Sequence, residues 1–96
     1  MGNIVIYYRL SKNESTLDAV SNVNSVTEKL NLHYTIKGVF MDDHHSNEQL
    51  TELFDKKLIS IKYLFINKPI EDEFDYKMLQ ELAKAESFDV KYFSEL

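Results

Sequence analysis

Two short apolar runs constrain this chain more than any other feature in it. Ile4-Val5-Ile6-Tyr7-Tyr8 is continuous, and a second apolar segment lies around Ile61 to Ile66. Runs of this kind suit strands covered on both faces in a parallel sheet. The segments around them carry helical spacing instead. From Glu14 to Leu30 the apolar residues Leu17, Val20, Val23, Val26 and Leu30 recur at intervals of three and four, marking one helical stripe. Asn13 and Ser15 are both candidate caps for it. Residues from about Asn47 to Lys57 place Leu50, Leu53 and Phe54 at the same spacing. After Pro69, Phe74, Met78, Leu79 and Leu82 align on one side of a third helix.

Two weaker strands complete the pattern. Tyr34 to Phe40 sets Tyr34, Ile36 and Phe40 on one face and Thr35 and Lys37 on the other, the alternation of a half-exposed edge strand. Phe88 to Phe93 is a short fourth strand. Strands separated by helical segments call for right-handed crossovers. The expectation is therefore a single α/β domain over residues 1–96: a four-stranded parallel sheet in the order 2-1-3-4, flanked by three helices. That order centres the two most apolar strands. Ligands of such sheets bind outside the carboxyl ends of the strands, where the winding reverses, which here means Tyr8 to Ser11 and Asn67 to Asp72.

Composition narrows the function. With no cysteine, a disulfide framework, a thiolate metal site and a thiol nucleophile are excluded, and a reducing cytoplasm is expected. The amino terminus carries no basic leader, and its apolar run breaks at Arg9, short of a membrane span. Sixteen acidic residues against 11 basic ones give a net charge of −5, so direct DNA binding is expected to be weak or absent, since affinity for phosphates comes largely from Lys and Arg. Arg9 is the single arginine. The only internal glycine is Gly38, and without a glycine-rich turn no nucleotide cofactor is expected.

Chemistry concentrates at the exit of the first strand, in Tyr7-x-Arg9-x-Ser11. A serine beside a cation is the minimum for attack on a phosphodiester. Tyr7-Tyr8-Arg9-Leu10-Ser11, followed by Ser15-Thr16-Leu17-Asp18, resembles the amino-terminal catalytic domain of serine recombinases, the resolvase and invertase family. Gly38-Val39-Phe40-Met41-Asp42 with Ser46-Asn47 is similar to the family's strand ending in Asp and its Ser-Gly loop. Ile61 to Lys68 resembles its third strand, and Val90-Lys91-Tyr92-Phe93-Ser94-Glu95 its fourth. The resemblance implies Ser11, Arg9 and Tyr7 as positions of the catalytic motif. Elsewhere the chain departs from the family. Where the family carries a Leu-Asp-Arg-Leu-x-Arg signature, this chain reads Pro69-Ile70-Glu71-Asp72-Glu73-Phe74, with Glu71 and Phe74 at the arginine positions. The arginine after the Ser-Gly loop is missing as well. Removing one transition-state donor typically costs about 10²- to 10³-fold in rate, so the expected molecule is a vestigial recombinase site on a domain that binds a protein, either a DNA-transaction protein or a recombinase. A phage or other mobile-element setting follows from the resemblance alone.

Each feature also has a plainer reading. Ser11 would simply begin the turn after the first strand while Arg9 pairs with a carboxylate such as Asp42. His44-His45 would be a solvated loop, since spacing supplies no third or fourth metal ligand. Glu71, Asp72, Glu73 and Asp75 would favour the start of the following helix. Tyr8, Tyr34 and Tyr92 are expected to be exposed interaction anchors, with Asp42, Lys68 and Glu71 as further binding residues. Two rivals remain: residual strand transfer through Ser11 assisted by Arg9 and Lys68, and a homodimer formed through an edge strand.

Overall fold

A computed structural model of the chain describes residues 2–55 and 60–96. The elements follow in the order β1 (Gly2–Arg9), α1 (Thr16–Asn31), β2 (Tyr34–Asp42), α2 (Glu48–Asp55), β3 (Ile61–Ile66), α3 (Glu73–Glu86) and β4 (Asp89–Tyr92), closing on a 3₁₀ turn at Phe93–Glu95. The four strands form one sheet in the order β2-β1-β3-β4, and every pairing is parallel. The anticipated architecture is the one observed. Helix α2 was expected to reach Lys57, but Lys56 and Lys57 lie outside the described residues.

The continuous apolar run of β1 serves two cores. Val5 and Tyr7 face α2 and α3 in a cluster with Phe40, Leu50, Leu53, Ile61, Leu64, Ile66, Leu79 and Phe88. Ile4, Ile6 and Tyr8 face α1, with Leu30, Phe65, Ala19 and Val23. A strand that must be apolar on both sides cannot alternate. Local chemistry sets the helix starts: Ser15 caps α1 by accepting from the Asp18 N–H at 3.1 Å, and Asp72 caps α3 by accepting from Asp75 N–H at 2.9 Å. The helix-start reading of the acidic stretch thus holds for Asp72. Among the described residues no helix is long and apolar enough to cross a membrane.

Three sequence expectations need correction. In β2 the pairing steps from Ile4↔Ile36 to Val5↔Gly38, so Lys37 is an extra residue, a β-bulge. Tyr34 and Ile36 therefore stay on the α1 side, while Phe40 joins the α2–α3 core. One inserted residue turns every later side chain over. In α1, Leu17 and Val20 are exposed, and Ala19 is the buried residue of the first turns. In α3, Phe74 is 70% exposed and Met78 41% exposed, whereas Leu79 is buried and Leu82 and Ala83 pack against it. At roughly 100° per residue, Phe74 lies about 140° around the helix from Leu79, too far for one face.

Candidate functional site

The bulge at Lys37 is what assembles the site. Beyond it, Gly38, Phe40 and Asp42 pair with Val5, Tyr7 and Arg9, so Asp42 projects to the same side as Tyr7, beneath the start of α2. Its carboxylate is 4% exposed and accepts three hydrogen bonds: from the Tyr7 hydroxyl at 2.8 Å, the Gln49 N–H at 2.9 Å and the Leu50 N–H at 3.0 Å. The last two are free donors of the first turn of α2, so a buried negative charge sits where the helix terminus is positive. Burial, reinforced by the bond to Asp42, pushes the Tyr7 hydroxyl well above its ordinary pKa.

Although Arg9 and Asp42 are strand neighbours, the Arg9 guanidinium makes no ion pair with the Asp42 carboxylate. That guanidinium donates to the Tyr7 hydroxyl at 3.0 Å, to the Asn47 side-chain oxygen and to the His44 carbonyl at 3.4 Å, and it lies 5.9 Å from the Tyr7 ring centroid. Asn47 in turn donates to Asp75 at 3.0 Å. Burial, with Asp72 nearby, raises the Asp75 carboxyl above its usual range. Tyr7, Arg9, Asn47 and Asp75 thus form one chain of hydrogen bonds that ties β1 to the starts of α2 and α3.

Ser11 belongs to a different group. Its exposed hydroxyl lies 3.2 Å from Lys68 Nζ, and its N–H donates to Glu14 at 2.9 Å. Glu14 also accepts from the Tyr8 hydroxyl and, at 3.1 Å, from the Asn22 amide; these bonds, that from Tyr8 foremost, hold its carboxyl below the ordinary glutamate range. Tyr8 is therefore not an exposed anchor. It is 5% exposed, with its ring against Phe93 and its hydroxyl raised in pKa by burial and by Glu14. Tyr34 and Tyr92 are half-buried as well, Tyr34 within an aromatic cluster with Tyr63 and Phe65. Their packing leaves only part of each ring to a partner.

Arg9, Lys12, Lys68, Glu71, Asp72 and Asp75 line a cleft of about 620 Å³ at the carboxyl ends of the strands. It is where the winding of the sheet predicts a crevice. Three cations and three carboxylates line it together with the exposed His44 and His45. The two imidazoles meet edge to face at 4.6 Å, and among the described residues no three metal-ligating side chains converge.

Sequence reasoning placed Asn67 at the crevice but missed its role. Its side-chain amide accepts from the Arg9 N–H at 2.9 Å and donates to the Arg9 carbonyl at 2.8 Å, extending the β1–β3 ladder one rung past its last backbone pair, Tyr7↔Ile66. An amide side chain closing a buried apolar strand is the available signal, because both its donor and its acceptor match a free backbone edge. Comparisons with protein-family models, with curated proteins and with solved structures found no match.

Proposed function

We propose that this chain is a catalytically silent, serine-recombinase-like domain that acts by binding a protein, either a DNA-transaction protein or a recombinase, in a phage or other mobile-element setting. The Tyr7-x-Arg9-x-Ser11 motif and the sheet order support the likeness. The observation that carries the silent reading is the engagement of the Arg9 guanidinium by Tyr7, Asn47 and the His44 carbonyl. A donor already bonded inside the protein is unavailable to a developing phosphorane charge, and the carboxylates across the cleft oppose a phosphate electrostatically. A mixed-charge cleft suits a protein surface of complementary pattern, where charge sets orientation and rate of encounter.

The test is affinity capture from the native host with the intact chain beside a Lys68→Glu/Glu71→Lys variant, whose two charges are exchanged across the cleft. A protein retained by the first and lost from the second, and identified by mass spectrometry, supports the reading; equal retention by both, or none by either, overturns it. The contact between Lys68 and Ser11 favours one rival, residual strand transfer. In that case Ser11 Oγ would attack a DNA phosphorus, its proton leaving and the 3′ oxygen departing as a hydroxyl, to give a phosphoserine-linked strand.

A further inference from the structure

Three donors converge on the Glu14 carboxylate at the exit of β1. The Tyr8 hydroxyl and, at 3.1 Å, the Asn22 amide donate to its Oε2, and the Ser11 N–H donates to its Oε1 at 2.9 Å. Lys68, whose Nζ lies 3.2 Å from the Ser11 hydroxyl, adds a positive charge that favours an anion at this point. Both oxygens are thus met by neutral donors with a cation beside them. That is a recognition set for a carboxylate, and it stands after the first strand, at the end of the sheet where parallel α/β folds bind their ligands.

The donors are held by the fold, whereas the acceptor reaches them from a turn. Tyr8 is buried, with its ring against Phe93 and among Leu10, Ala19 and Val23. Asn22 stands on α1 and bonds the same hydroxyl at 3.1 Å. Ser11 follows the buried Leu10, whose N–H donates to the Asp42 carbonyl at 2.9 Å. Glu14 comes instead from the turn before α1, which its own N–H closes on the Ser11 carbonyl at 3.1 Å, so the turn has a bond that does not need the side chain. Ser11 and Asn22 are exposed, and a carboxylate from outside can reach the same N–H groups. We infer that Tyr8, Ser11 and Asn22 form a binding site for a carboxylate of another molecule, and that Glu14 occupies it from within as a competitor that the incoming group displaces. Lys68 also lines the cleft, so the site opens beside it. An acidic side chain of a bound protein is the natural source of the carboxylate; that source rests on the proposed function, whereas the site does not. A tethered occupant lowers the apparent affinity of any rival in proportion to the time it fills the site.

Sodium acetate is the probe, titrated at constant ionic strength into the intact chain while NMR follows the Ser11 backbone amide and the Asn22 side-chain amide. Glu14→Ala is expected to show saturable shifts of both, and the wild type to bind at least about tenfold more weakly. Glu14→Gln keeps an acceptor oxygen without the charge and is expected to fall between them, which preserves the comparison should Glu14→Ala fail to fold. Adding Tyr8→Phe to Glu14→Ala removes one donor and is expected to weaken acetate at least about tenfold. Shifts that do not saturate in either folded variant overturn the inference, as do equal affinities in the wild type and the variants. Inorganic phosphate matching acetate would overturn it too, by making the site one for anions in general. Acetate needs no protein partner, so failure here leaves the proposed function standing, and failure to capture a protein leaves this site standing.

Discussion

The Tyr7 hydroxyl donates to the Asp42 carboxylate at 2.8 Å, and this bond joins the centre of the sheet to the start of α2. Asp42 is buried, and the Gln49 and Leu50 N–H groups are its other two donors. Asp42→Ala would leave two helix donors and a phenol without an acceptor in a buried site. A loss of about 2–4 kcal/mol is expected, read as a lower urea midpoint. Tyr7→Phe removes a single hydroxyl and is expected to cost about 1 kcal/mol. An Asp42→Ala protein as stable as the wild type would show that the carboxylate does not anchor α2.

The bulge at Lys37 gives a sharper contrast. Lys37→Ala retains the extra residue and is expected to change stability by no more than about 0.5 kcal/mol. Deleting Lys37 forces either Tyr34 and Ile36 or Phe40 and Asp42 onto the wrong face, and is expected to cost at least about 3 kcal/mol or to prevent folding. Thermal unfolding followed by circular dichroism separates the two, and equal midpoints would mean that β2 tolerates either register.

Asn67 makes its paired bonds only as an amide. Asn67→Ala loses both and is expected to cost about 1–2 kcal/mol. Asn67→Asp can still accept from the Arg9 N–H but cannot donate, as a carboxylate, to the Arg9 carbonyl, so it should recover only part of the loss. Hydrogen exchange at the Arg9 amide should accelerate in both variants; unchanged protection would remove Asn67 from the ladder.

Two carboxyls give pH dependences of opposite sign. Glu14 is held below its ordinary value by the bonds it accepts, first from Tyr8 and then from the Ser11 N–H. Its stabilisation is complete above the unfolded value of about 4.3 and is lost as pH falls through the lower folded value. Asp75 is raised by burial and by Asp72, so its favourable contribution is present below the unfolded value of about 3.9 and is lost as pH rises through the folded value. Urea midpoints between pH 3 and 7 should therefore show Glu14→Gln less stable than wild type at pH 7 with the gap closing toward pH 3. Asp75→Asn should show its relative gain at pH 7 and lose it toward pH 3. Parallel curves for all three proteins would contradict both assignments.

Much of the fold was legible because burial on both faces leaves an unmistakable mark on β1 and β3, and helical spacing separates them. What escaped depended on single residues whose effect is geometric. Nothing about Lys37 in sequence marks it as an insertion, yet it decides which side Phe40 and Asp42 occupy. In α3 the apolar residues are too evenly scattered for composition to say that Leu79, not Phe74, faces the core. Tyr8 reads as an exposed ring at the crevice, but Glu14 and Asn22 supply partners for its hydroxyl, which lets the ring be buried. The crevice and Tyr7-x-Arg9-x-Ser11 were visible; the division of that motif into an Arg9 group and a Ser11 group was not, because it rests on Asn47 and Lys68, distant in the chain.

The proposed silence of the Ser11 site can be measured directly. The intact chain incubated with supercoiled plasmid and with nicked duplex, then run on a denaturing gel, is expected to give no DNA-linked protein and no nicking above a Ser11→Ala control. A covalent adduct that forms with the wild type and disappears with Ser11→Ala would contradict the proposed function at its root.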